Sequence, residues 1–336
     1  MTVNAHMTGA RSVTGESRGE DLRPLHGEAR AGRAPEIVNR ESMVWIPGGA
    51  FSMGSNKFYR EERPARRASV GGFWIDPRPV TNADFAAFVR ATGYLTTSER
   101  APDPAAYPDA DPSLLVPGSA VFTKPDGPVG LRDHQAWWAY VPGADWRHPE
   151  GRRSNIDDRA DHPVVHVSFE DVTAYAAWAG KALPTEAEWE FAARGGLDDA
   201  TYAWGEEFAP DGQIMANIWQ GRFPFENLAE DGYEGTSPVG AFPANRFGLY
   251  DMIGNVWEWT ASAYGAPSSH AEKPSCCQSK ERVDHAAARV VKGGSHLCAP
   301  HYCLRYRPAA RQSQSLDTAT THIGFRCVLR APAPAH

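Results

Sequence analysis

The chemistry-bearing stretch of this chain is Gly293-Gly294-Ser295-His296-Leu297-Cys298-Ala299-Pro300-His301-Tyr302-Cys303-Leu304-Arg305-Tyr306-Arg307. Cys298 and Cys303 stand five residues apart, and Pro300 bends the loop between them, so their sulfurs can face each other across a small gap. Three chemistries suit such a pair. One is a structural disulfide, a feature of oxidising compartments. Another is zinc held by His296, Cys298, His301 and Cys303, because mixed His and Cys ligands suit that ion, although four ligands so close in sequence would be strained. The third is a two-thiolate site for Cu(I), a soft ion that prefers sulfur. Arg305 and Arg307 would favour the thiolate forms it needs. Spacing alone does not choose among the three.

The rest of the cysteine usage bears on the choice. All five cysteines, Cys276, Cys277, Cys298, Cys303 and Cys327, lie in the last quarter of the chain, whereas a secreted disulfide framework spreads its bridges. Residues 1 to 40 lack the apolar run of a signal peptide and carry too few large apolar side chains to offset the entropy of ordering. They are expected to form a disordered polar leader, with a short tail at 331–336 and a cytoplasmic location. No stretch approaches the ~18 consecutive apolar residues of a membrane span. A net charge of −7 provides no basic footprint for nucleic acid.

The elements that must position the thiols read as short. With 11 Trp, 31 Gly and 27 Pro, the chain predicts a compact α+β body of many turns and few long helices, a single domain from 41 to 330. Met43–Ile46 reads as a strand running into the Pro47-Gly48-Gly49 turn, and Phe73-Trp74-Ile75 as a second strand. Three helices have start signals: Thr81 with Asp84, Ser168 with Asp171 and Thr185 with Glu188, each ahead of an apolar face and ending near Gly93, Gly180 and Gly195 respectively. Pro102 to Asp161 is too long for a simple connection and is expected to pack as an irregular insertion. His162 and His166 flank Pro163-Val164-Val165, a strand-like run on which they would not converge. From Tyr202 onward no helix or long strand is expected until a last one at Gly324–Leu329. Such irregular backbone must satisfy its polar groups in other ways, and bound cations are one route.

From about Met43 to Arg330 the chain resembles the formylglycine-generating enzyme (sulfatase-modifying factor) family. The resemblance is carried by Trp45-Ile46-Pro47-Gly48-Gly49-Ala50-Phe51-Ser52-Met53-Gly54, Pro163-Val164-Val165-His166-Val167-Ser168, Leu183-Pro184-Thr185-Glu186-Ala187-Glu188-Trp189-Glu190, Ala216-Asn217-Ile218-Trp219-Gln220-Gly221 and Asn255-Val256-Trp257-Glu258-Trp259. It continues through the Gly-Gly-Ser and cysteine segment, whose paired cysteines separate the oxidases from iron-dependent sulfoxide synthases and non-catalytic relatives. The resemblance implies a complex C-type-lectin-like fold and Cu(I) bound by Cys298 and Cys303. The substrate would be a cysteine in a Cys-x-Pro-x-Arg motif of an unfolded sulfatase polypeptide, oxidised with O2 to C-alpha-formylglycine by an enzyme that is expected to be a monomer. It also places Ser295 and Trp257 at the active site and makes Tyr302 and Arg305 shape the peptide groove.

Two structural Ca2+ sites follow from the same resemblance. Asn217, the Ile218 carbonyl, Asp231 and the Tyr233 carbonyl match one; Asp251, the Gly254 carbonyl, the Val256 carbonyl and Glu258 match the other, and oxygen donors of this kind suit a hard cation. The chain also departs from the family. Ala193 and Pro308 stand where eukaryotic members carry further cysteines, which leaves Cys327 as a lone buried thiol. Cys276 and Cys277 have no matching pair and are expected to be incidental. His301 is expected to be solvated. The residues between the thiols and Thr321-His322-Ile323 also differ, which bears on substrate preference. Two rival functions remain: a non-catalytic binding module on the same scaffold, and a sulfoxide synthase, whose N-terminal helical bundle the short polar leader could not supply.

Overall fold

The computed structural model describes residues 40–105, 107–109, 115–265 and 288–330, all within one compact unit. The expected leader (apart from Arg40), the tail, Cys276 and Cys277 lie outside the described residues. The architecture is α+β, with strands β1 (Val44–Ile46), β2 (Gly49–Met53), β3 (Arg66–Val70) and β4 (Phe73–Ile75), then helix α1 (Asn82–Thr92). Strands β5 (Gly118–Phe122) and β6 (Trp138–Pro142) precede helices α2 (Phe169–Trp178) and α3 (Glu186–Arg194). The chain closes with β7 (Trp257–Ala263), β8 (Ala288–Lys292), β9 (Arg311–Ser315), β10 (Ile323–Gly324) and β11 (Val328–Leu329). One sheet runs β1-β4-β11 and another β10-β7-β8-β9; β2 pairs with β3 and β5 with β6 as antiparallel hairpins. Among the described residues no helix is long and apolar enough to cross a membrane.

The three helices begin where their caps predict. The Thr81, Ser168 and Thr185 hydroxyls accept from the backbone N–H of Asp84, Asp171 and Glu188, and each of those carboxylates reaches back to the cap residue's own N–H. Two otherwise free donors at each start are thereby satisfied. Gly93 and Gly195 close α1 and α3 at φ 68 and 57, while α2 ends one residue earlier than expected, at an Ala179 cap. Phe85 and Phe88 of α1 meet Tyr175 of α2 with ring centroids 5.8 and 5.6 Å apart, and this aromatic cluster is continuous with Trp257, Trp259, Phe325 and all three described cysteines.

Three expectations are corrected. The stretch after Tyr202 is not without strands: β7, β8 and β9 form most of a four-stranded sheet. The first four residues of β7, Trp257 to Thr260, are all buried, so the apolar–polar alternation of a half-exposed strand is absent. The expected last strand, Gly324–Leu329, is divided between sheets: β10 pairs parallel with β7 and β11 antiparallel with β4. Arg326 lies at that crossing and is held by Glu258, at 2.7 Å on both Nε and Nη2. The insertion is likewise more ordered than expected, since it contains the β5–β6 hairpin and buries Trp137 and Trp146.

Arg326→Met leaves the Glu258 carboxylate buried without its cation. Removing one partner of a buried pair costs about 3–5 kcal/mol, so a large fall in the denaturant midpoint is expected, read by chemical unfolding.

Candidate active site

Gly293 and Gly294, at φ 92 and 74, start the cysteine loop with backbone that side chains rarely adopt. A Cβ on Gly294 would stand 2.9 Å from the Arg305 carbonyl, so the entry and exit of the loop touch there. Within the loop, Ser295 O accepts from Cys298 N at 2.9 Å. Ala299 O accepts from both Tyr302 N at 3.1 Å and Cys303 N at 2.9 Å. These two successive turns bring the sulfurs to 3.1 Å, well beyond the ~2.05 Å of a disulfide and within reach of an S–H···S contact. Both thiols are buried and free.

Their environments differ. Cys303 is lowered to about 7, first by the hydrogen bond from the Cys298 thiol and then, against burial, by the Arg305 guanidinium, whose Nη1 is 3.8 Å from Sγ. Burial pushes the Cys298 thiol up. Of the two, Cys303 is the one that ionises more readily. Arg307, expected to help, points elsewhere: its Nη1 donates to Glu62 at 2.9 Å in a buried ion pair.

Cys298, Cys303, Ser295, Trp257, Tyr302 and Arg305 all line one cavity of about 390 Å³. Six residues predicted from sequence for catalysis or substrate binding are thus brought together. Trp257 is both core aromatic and cavity wall, and Tyr302 stacks on Phe223 at a centroid distance of 4.3 Å. Sequence reasoning missed Trp137, Phe223, Gln312 and Gln314, which also line it. The two glutamines share one face of β9 by its two-residue period, a pattern hidden because both are polar. His322, flagged only as a departure, lines the cavity too, with Nδ1 2.8 Å from Thr320 Oγ1 and its ring 5.0 Å from that of Trp138.

The donor chemistry separates the metals. His296 gives its Nδ1 proton to Asn255 O at 2.8 Å, and His301 Nε2 accepts from Phe223 N at 3.0 Å; among the described residues the two histidines are not grouped with the cysteines as a four-ligand zinc set. Among the described residues no group of three or more His, Cys, Asp or Glu side chains is placed to hold a metal. His301 is exposed but its ring carries that structural bond, so it is not merely solvated. The cavity lining holds two sulfurs and no carboxylate, a set that fits a soft monovalent ion and not a hard one.

The two calcium sets behave differently. In the first, Asp231 Oδ1 accepts from Tyr233 N at 3.0 Å, while its Oδ2 is buried without a hydrogen-bond partner. Gln220 ties the group together by accepting from Asp231 N at 3.1 Å and donating to Ile218 O at 2.8 Å. An orphaned, buried carboxylate oxygen fits a cation there. In the second, Arg326 and Trp189 Nε1 already engage both Glu258 oxygens, and Asp251 Oδ2 accepts from Gly240 N at 2.6 Å. Burial raises Asp251 to about 6. Glu258 is charge-compensated as it stands, so this second set does not call for a cation.

His162 and His166 do not converge, as expected, but their segment is not a strand: it has one bridge at Pro163 and bends at both histidines, with His166 at φ 59. His162 meets Thr236 and His166 meets Ser119. His166 is fully buried and lowered to about 4, chiefly by that burial.

A lectin-like α+β body that closes a carboxylate-free cavity around two thiols is a narrow class. Residues 29–331 match the sulfatase-modifying factor enzyme 1-like domain. The chain is 58% identical over 291 residues to the formylglycine-generating enzyme of Mycobacterium tuberculosis, covering 85% of this chain and 97% of that protein. It is 47% identical over 301 residues to the enzyme of the same name from Thermomonospora curvata, covering 88% and 95%. The structure of PvdO from Pseudomonas aeruginosa shares the fold with a TM-score of 0.55 at 24% identity, covering 85% of this chain and 93% of that one. The chain belongs to the formylglycine-generating enzyme (sulfatase-modifying factor) family.

The His166 environment sets a pH dependence. Its folded pKa lies below its unfolded value, so between about pH 4 and 6.5 the unfolded chain binds the extra proton and stability falls as pH falls. The contribution is about 3 kcal/mol at most. His166→Gln is expected to flatten the acid limb of stability against pH, measured by urea unfolding across that window.

Proposed function

We propose that the chain oxidises a cysteine in a Cys-x-Pro-x-Arg motif of an unfolded sulfatase polypeptide to C-alpha-formylglycine, with Cu(I) held by Cys298 and Cys303. The observation that carries this reading is the convergence of the two thiols with Ser295, Trp257, Tyr302 and Arg305 on one cavity without carboxylates. The names of the relatives support the same chemistry. The reaction balances as one substrate thiol-bearing methylene and one dioxygen, with two electrons and two protons from an external thiol reductant, giving the aldehyde, hydrogen sulfide and water. Copper, when bound, supplies one-electron oxygen chemistry and an open position for the substrate sulfur.

The chain's own residues confine and orient. Trp257, Trp137 and the Phe223–Tyr302 stack wall the cavity with apolar surface and limit water around the thiols. Arg305 supplies a compensating charge beside Cys303, which favours the thiolate a soft ion needs. Ser295 places its hydroxyl at the loop start, where Oγ accepts from Leu297 N at 3.2 Å, and the Gln312 and Gln314 amides offer a peptide both donors and acceptors. At Thr320 the cavity adjoins a larger hollow of about 690 Å³ whose lining includes Asp103, Asp317 with Tyr107 donating to it, and the Arg100–Glu170 ion pair. An extended peptide with a basic residue downstream of its cysteine suits that path. We place the reaction in the cytoplasm and assign it to a monomer; the free state of the three described cysteines agrees with a reducing compartment. Ca2+ at Asn217, Ile218, Asp231 and Tyr233 completes the cofactor assignment.

An anaerobic Cu(I) titration of reduced protein tests the proposal, followed by oxygen, a thiol reductant and a Cys-x-Pro-x-Arg peptide. Stoichiometric copper and a product lighter by the difference between thiol and aldehyde are expected by mass spectrometry, and Cys303→Ser should abolish turnover. A fully active serine variant would sink the mechanism. For calcium, about a hundredfold excess over the dissociation constant should stabilise the fold by ~2.7 kcal/mol. The matching rise in Tm should be absent in Asp231→Ala; an equal rise in both proteins would remove calcium from this site.

A further inference from the structure

Helix α3 ends on Arg194, whose side chain is only 4% exposed. Its Nε and Nη2 donate to Glu190 Oε1 at 3.2 and 2.7 Å, and Nη2 also donates to Gly54 O at 3.2 Å. Nη1 is buried and has no hydrogen-bond partner among the described residues. A buried donor on a charged group is costly to leave unmet, so its surroundings bear on what meets it. A guanidinium is planar, and Nη1 shares its end-on edge with Nη2. The Nη2 bond to Gly54 O turns that edge toward Gly54, which together with Arg194 lines a hollow of about 320 Å³.

The charge around this hollow is unbalanced. Its lining contains three cations, Lys57, Arg194 and Arg307, and one acid, Asp199. Behind the wall, Glu190 is shared by Arg194 and Lys292 at 2.7 and 2.9 Å, and Glu186 by Arg311 and Lys292 at 2.7 and 3.7 Å. Three cations no more than 11% exposed thus meet two carboxylates. Lys57 is exposed, and Ser55 Oγ, which accepts from Lys57 N at 3.1 Å, keeps its own proton to donate. Ammonium, guanidinium and hydroxyl donors together suit an anion with several oxygens. The volume lies at the small end of ligand pockets, room for such an anion with a few attached carbons.

On its far side the hollow reaches the exit of the cysteine loop. Phe58 and Arg307 line it, with the guanidinium 3.7 Å over the Phe58 ring. Arg307 pairs with Glu62 and donates from Nε to Leu304 O at 2.7 Å. Beside it, Glu61 Oε1 accepts from Arg305 Nη2 at 2.6 Å and Tyr59 Oη accepts from Leu304 N at 2.9 Å. Two acids of one short segment thereby clamp two arginines of the loop's exit.

We propose that the hollow is an anion site, in which a small oxyanion accepts from Arg194 Nη1 and Lys57 supplies a second charge. The bound anion ties the end of α3 to the segment that carries the clamp, so it stabilises the fold. A water molecule would also accept from Nη1 but would leave the excess positive charge in place, and dependence on anion concentration separates the two occupants. The site is independent of the oxidase reading above.

Isothermal titration of inorganic phosphate into the full-length protein tests the site, with sodium chloride at the same ionic strength as the reference. One phosphate per chain is expected, with a Tm that rises and levels off over the same concentrations. Lys57→Glu, a change at an exposed position, should weaken the Kd about fivefold or more. Arg194→Lys keeps a cation beside Glu190, gives up the planar fork and should bind no phosphate. If that variant does not fold, Lys57→Glu decides alone. No saturable binding by wild type with a Kd below about 10 mM overturns the site. The same Kd in wild type and Lys57→Glu also overturns it, because the phosphate then binds elsewhere on the molecule.

Discussion

The Arg326–Glu258 ion pair, fully buried, ties together parts of the fold that no ladder connects. Arg326 sits where the chain leaves one sheet for the other, and it donates to Glu258 of β7, to Tyr250 O at 2.8 Å and to Asp76 O at 3.3 Å. Glu258 in turn accepts from Trp189 of α3. One fully buried ion pair therefore joins both sheets, a helix and two loops. A buried pair contributes little net energy against a well-packed apolar substitute, but it tolerates few alternative arrangements. In a body with so little regular ladder it defines where β7 lies, and β7 begins at the tryptophan that walls the thiol cavity.

The cavity inherits its character from that frame. Because β7, the cysteine loop and β9 converge there, its lining is aromatic rings, amides, two sulfurs and one guanidinium. Its fixed charge comes from Arg305, whose guanidinium stands beside Cys303. The same chain builds oxygen-rich pockets elsewhere, around Asp231 and Asp251, so hard and soft donors are kept in separate parts of the molecule.

What was legible in the sequence follows the range of the interactions involved. The helix starts were readable because a capping box is complete within four residues, as at Thr185 and Glu188. The thiol pair and its neighbours were readable because the loop is contiguous and its motif dense. The strands after Tyr202 were not, since β7 and β8 contain Glu258 and Lys292, charges whose partners Arg326 and Glu190 are distant in sequence. Such residues look like surface until their partners are known. Gln312 and Gln314 were missed for the related reason that nothing local distinguishes a cavity-facing amide from a solvated one, and Tyr59 and Glu61 because their partners lie at the other end of the chain.

That last separation has a consequence for the life of the protein. Glu61 and Glu62 precede the arginines they hold by 244 and 245 residues. During synthesis, from N-terminus to C-terminus, neither half of the clamp exists as a site until Arg305 and Arg307 have emerged, long after the acids they meet. A chain cut short before Arg305 has the clamp's acids with nothing to hold.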